Sequence, residues 1–174
     1  MTASCAEDTS KGGEARGKSS EQEWRPPRAE FLSSFSELDA TVRKSCNRES
    51  SWEAQVSAGV VAALEFVDSN PGAAHALTID ARRKDSDRGS RQDDVIRHFG
   101  ELLRERIPAD RRGSVAIADG IVESIAVMVR GQLISPKEES LTSRAADVVF
   151  LTLVAFVDTG EASRWAERLE RAAE

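Results

Sequence analysis

Ser114–Ile134, SVAIADGIVESIAVMVRGQLI, and the stretch after it, 136–158, PKEESLTSRAADVVFLTLVAFVD, decide the fold. Each contains a run rich in β-branched residues, Ile121–Val129 and Val148–Val157. A short run of that kind reads as a buried strand as readily as a buried helix. Length separates the readings. Each run lies inside roughly 20 residues without a turn signal, where a strand covers about 4–8. Ile117, Ile121, Ile125 and Val129 recur at fours, flanked by Val122, Val127 and Met128. Ser135-Pro136-Lys137-Glu138 has the form of a helix start: a cap, a proline at the first helical position and a carboxylate near the positive helix end. Two helices are expected, 114–134 and 136–158, the second broken at Gly160.

Working outward, helical periodicity covers the rest of the chain from Ala29. Phe31, Phe35, Leu38 and Val42 make one face, ended by Asn47. Ser50 with Glu53 reads as a capping box ahead of Trp52, Val56, Val60, Ala63 and Val67, a face widened by Leu64 and Phe66. Asn70-Pro71 ends that helix and opens a short one, Gly72 to about Ala81, bearing His75, Leu77 and Ile79. Arg82–Gly89 is a charged loop. Val95, Ile96, Phe99, Leu102 and Leu103 follow up to Pro108, and Ala162, Trp165, Leu169 and Ala172 mark a last helix. The expectation is an all-α fold, an orthogonal or antiparallel bundle of about seven helices over residues 29–174.

Residues 1–28 are polar, with charges that balance and almost no apolar residues apart from Trp24. Such a segment buries too little to offset its ordering entropy and is expected to be a disordered tail. The 174-residue chain has room for one ordinary domain. Its 40 % hydrophobic share with 5 % aromatics and no Tyr suits packed helices. A net charge of -6 repels phosphate, so no direct nucleic-acid binding is expected. Arg82-Arg83-Lys84 and Arg111-Arg112 are short and interleaved with aspartates. Cys5 and Cys46 fit neither a disulfide framework nor a metal motif. The N-terminus has no apolar stretch of a secretory signal, and Val148–Val157 is too short to span a bilayer, so a cytoplasmic location is expected.

The two apolar helices carry more than one apolar stripe, and a surface helix needs only one. A second copy is the simplest cover for the excess, giving a homodimer; the plain alternative is that both helices sit centrally in the monomer.

The run WEAQVSAGVVAALEFVDSNPGAAHALTID, a loop, DDVIRHFGELLRERI, two long apolar helices and the closing FVDTGEASRWAERL resemble the C-terminal regulatory domain of TetR-family repressors over residues 30–172. The resemblance implies a small, often apolar effector held among the central helices, and dimerisation through the two long penultimate helices. On that layout Phe66, Leu77, His98, Phe99, Leu103, Val122 and Met128 are pocket candidates, and Ile121, Ile125, Val149, Leu153 and Phe156 are interface candidates. Plain core packing is the other reading of each. No helix-turn-helix is legible ahead of Phe31, so DNA binding is not carried over. The implied role is that of a sensor and dimer half, able to pair with a full-length TetR-type regulator.

No phosphate loop, nucleophile elbow or Ser/His/Asp spacing appears, and no cofactor is expected. Asp119 and Glu123, one turn apart, with His98, are the sole acid–base set worth weighing. A polar helix edge explains the two carboxylates, and metal binding by inward-facing helices would need a Glu-x-x-His that is absent. The remaining alternative is a helical interaction module without a pocket.

Overall fold

The computed structural model describes residues 28–82, 91–136 and 139–173. The expected polar tail, residues 83–89 of the charged loop, and Lys137 and Glu138 of the helix-start signal lie outside them. Among the described residues the chain is all-helical, with seven α-helices packed antiparallel and no strand. No described helix is long and apolar enough to cross a membrane.

Helix α1 (Arg28–Cys46) packs along α2 (Trp52–Ser69) and touches α3 (Pro71–Thr78). Helices α4 (Arg91–Arg106) and α5 (Val115–Ile134) form one antiparallel pair, and α6 (Ala145–Leu153) and α7 (Thr159–Ala173) another. Helix α2 is the hub, in contact with α1, α3, α4 and α6. Its sequence explains the position: Val56, Gly59, Ala62, Leu64, Phe66 and Val67 are buried, so the helix is covered on most sides.

The ends of the elements follow from identifiable hydrogen bonds. The cap of α2 is Ser51, one residue after the expected Ser50; its Oγ accepts from Ala54 N at 3.2 Å, which leaves Glu53 out of the capping position. Asn70 stands at the start of α3 as expected, but its side chain donates to Phe66 O at 2.8 Å and so closes α2. Helix α3 is shorter than expected and passes into a 3-10 turn, Asp80–Arg82.

The largest correction concerns 136–158. Instead of one long helix, the described residues of this stretch form a 3-10 turn at Thr142–Arg144 and the nine-residue α6. Ser140 competes with Pro136 as a start signal: Ser143 N donates to Ser140 Oγ at 3.2 Å. Asp68 of α2 then captures the chain here, accepting from Leu141 N at 3.1 Å and Thr142 N at 2.8 Å. At the other end Phe156 N and Val157 N both return to Leu153 O, ending α6 five residues early. Asp158 caps α7 by accepting from Glu161 N at 2.9 Å, so Gly160 lies inside the first turn of a helix and breaks nothing.

Two groups of buried side chains hold the bundle. The larger gathers Phe31, Leu38 and Val42 of α1 with Leu64, Leu77, Leu102, Val129 and Val148. The smaller joins Val56 to Val149, Leu153 and Ala162, under Trp52 and Trp165.

Candidate functional site

Five helices turn an apolar stripe toward one point, and the space between them is incompletely filled. Leu38, Val42 and Cys46 come from α1 at intervals of four; Leu77 and Thr78 come from α3. Phe99, Leu102 and Leu103 come from α4, and Ile121, Val122, Ile125 and Val129 from α5. On α2, α3 and α5 the stripe positions Gly59, Ala63, Ala74 and Ala126 are small. Side chains of that size leave a void where leucines would interdigitate. The result is a partly open cavity of about 140 Å³.

The wall has few polar groups and most are committed. Thr78 Oγ1 donates to Ala74 O at 2.7 Å and Thr152 Oγ1 to Val148 O at 2.8 Å, each back-bonding within its own helix. Arg106 reaches the α1–α2 junction, where its Nη1 donates to Asn47 Oδ1 at 2.9 Å; its Nε is buried without a partner. The Cys46 thiol is free and buried beside Gly59. Burial pushes that thiol up, against a smaller pull down from the Arg106 charge, so it stays protonated and behaves as one more apolar wall group.

Of the expected pocket residues, Leu77, Phe99, Leu103 and Val122 line this cavity. Phe66 and Met128 belong to the surrounding core without reaching the wall. His98 turns away from it: Nε2 pairs with Asp39 Oδ1 of α1 at 2.7 Å, and the ring lies edge-on to Phe35 and Phe99. Asp39 also accepts from Arg43 Nε at 2.9 Å. Burial raises the Asp39 carboxyl, but the bonds from His98 and Arg43 outweigh it and hold the group below its usual value.

The five residues expected at a dimer interface fall into two groups, Val149 and Leu153 buried and Ile121, Ile125 and Phe156 half-buried. Ile121 and Ile125 line the cavity. Val149 and Leu153 are 0 % exposed, packed against Val56 and Ala162, and offer no surface to a partner. Phe156, like Ile121 and Ile125, is half-buried, and it lies beside Gly113. The reason is geometric. A spacing of four advances about 40° per step around a helix of 3.6 residues per turn. The ladder Ile117, Ile121, Ile125, Val129 therefore winds from the surface, where Ile117 is 41 % exposed, to the core, where Val129 is 3 % exposed.

Asp119, Glu123 and His98 do not form one site. Asp119 is wedged against Gly100 of α4, Glu123 is exposed on the outer side of α5, and His98 is held by Asp39. Among the described residues no three His, Cys, Asp or Glu side chains gather as a metal site. What sequence reasoning missed is the α1 wall and the small residues. Their signal was present as glycine and alanine set within otherwise large apolar stripes. Compared with protein-family models, with curated proteins and with solved structures, the chain matches none.

Proposed function

We propose that this chain is a sensor domain that takes a small apolar molecule, about the size of one benzene ring, into the cavity walled by α1–α5 and Thr152 of α6. The observation that carries the reading is the cavity of about 140 Å³ whose wall hydroxyls are already spent on backbone carbonyls. Water needs two or more polar partners to occupy such a space, and an apolar cavity of about 150 Å³ stays dry and admits benzene. Binding asks only for shape and apolarity. In this reading the chain is the effector-binding half of a regulator, as the resemblance to the TetR regulatory domain implies, and DNA binding is no part of it.

Thermal melting of the full chain in a benzene or toluene titration tests the reading. A ligand that binds only the folded state stabilises it by about 2.7 kcal/mol at a hundred times its Kd, so Tm should climb with concentration. The A126L variant, which fills the void from α5, should melt higher than the parent and lose the ligand response. A parent Tm unmoved up to the solubility of either compound would sink the proposal.

A further inference from the structure

An apolar wall is enough to hold a ring, and it leaves one group of the cavity without a use. The cavity is lined on α4 from Val95 to Arg106 and on α2 from Val67 back to Val56. At about 1.5 Å per residue each of these stretches is about 16 Å long. A void of benzene's volume drawn out over that length is narrow and suits an unbranched chain. Its two ends differ. At one, Leu77 and Val95 stand with Thr78, whose hydroxyl is already spent on Ala74 O. At the other stands Arg106, the one charged residue of the wall among the described residues.

The surroundings of Arg106 say what it lacks. Nη1 donates to Asn47 Oδ1 at 2.9 Å and to Gln55 Oε1 at 3.4 Å, both neutral amides. The charge acts on the Cys46 thiol, which stands in the same wall. Among the described residues no carboxylate pairs with Arg106, and its Nε is buried without a partner. A guanidinium is always charged, and a buried donor with no acceptor is costly. The surface-side nitrogen is held and the buried one is free for an anion.

We propose that the occupant of the cavity is a single-chain carboxylate of about six carbons, the carbon count of the benzene that a void of this size admits. The chain lies along α2 and α4 and the carboxylate sits on Arg106. This rests on the cavity reading above and adds the chemical class of the ligand. The planar fork of an arginine matches the two oxygens of a carboxylate. Arg106 is half-buried and Asn47 beside it is exposed, so the head gives up only part of its hydration. A hydroxyl head would gain only a neutral hydrogen bond, and an ammonium head would be repelled. The chain supplies affinity and the head supplies selectivity.

Calorimetric titration of the full chain at pH 7 with hexanoate, hexanol and hexylammonium tests this. Hexanoate should bind about tenfold or more tighter than hexanol, hexylammonium should not bind, and benzene should compete with hexanoate. In R106Q, which keeps an amide at that position, the preference for the acid over the alcohol should vanish. The series on the parent chain decides the matter even where R106Q fails to fold. Hexanoate no tighter than hexanol, hexanoate that benzene does not displace, or a folded R106Q that keeps the preference overturns the carboxylate. A benzene-dependent rise in Tm in any of those cases leaves the cavity reading standing; with no binding of any compound, both fall.

Discussion

Thr142 Oγ1 donates to Asp68 Oδ2 at 2.6 Å, joining residues 74 positions apart. With the backbone N–H groups of Leu141 and Thr142 on the same carboxylate, this one side chain of α2 fixes where the chain re-enters the bundle after α5. It also sets a turn at Thr142–Arg144 ahead of the short helix α6.

Removing that anchor should be costly. D68A leaves three donors without their acceptor, and hydrogen bonds to a charged group contribute about 1.5–3 kcal/mol. Urea unfolding at pH 7 should show a loss of about that size, with D68N losing less because its amide oxygen still accepts. The pH dependence has a definite sign. Burial raises the Asp68 carboxyl, but the bonds from Thr142 and Leu141 prevail and hold it below the ordinary 3.8. Its stabilisation is therefore full above the unfolded value and is lost as pH falls through the lower folded one. The difference between parent and D68N should shrink below pH 4; a difference constant from pH 7 to pH 2 would contradict the assignment.

Asp39 ties α1 to α4 through His98 at 2.7 Å, and it obeys the same rule, since its carboxyl is also held below the ordinary value. H98A removes the bond and the edge-on ring contacts to Phe35 and Phe99 together. It should destabilise by about 1–3 kcal/mol. A double-mutant cycle with D39A at pH 7 should return a coupling that is lost as pH falls through the lowered pKa of Asp39. Strictly additive losses at pH 7 would show that the pair is not coupled.

Gly100 of α4 lies close against Asp119 of α5. A side chain there would collide with the Asp119 carboxylate, and its Cβ would lie 3.3 Å from Asp119 N. Replacing a helical glycine by alanine ordinarily gains about 1 kcal/mol. Here G100A should instead cost stability, by about 1–3 kcal/mol for overpacking. G100A/D119A should recover much of it, because only the backbone contact then remains. A stabilised G100A would mean the two helices part without penalty.

The residues explain how far the sequence could be read. Helix α5 was legible to within a residue because Ser114 and Ser135 bound an unbroken periodic segment, and nothing distant competes for its ends. Helix α6 was not, since its start depends on Asp68, whose contact with Leu141 and Thr142 no local pattern announces. Four of the seven pocket candidates line the cavity because they sit on the inward side of their helices, and His98 does not because Asp39 draws it to α1.

Local chemistry by itself determined that this chain is helical, and which residues of each helix are apolar. Those properties depend on neighbours within a few positions: stripe spacing, caps and the length of uninterrupted segments. The tertiary structure decided which apolar face meets which. Val149 and Leu153 went inside, Ile117 and Val127 stayed outside, and a void remained where Gly59, Ala63, Ala74 and Ala126 converge. A face becomes wall, core or surface only when the relative rotation and distance of the helices are set, and contacts between residues far apart in the chain set both.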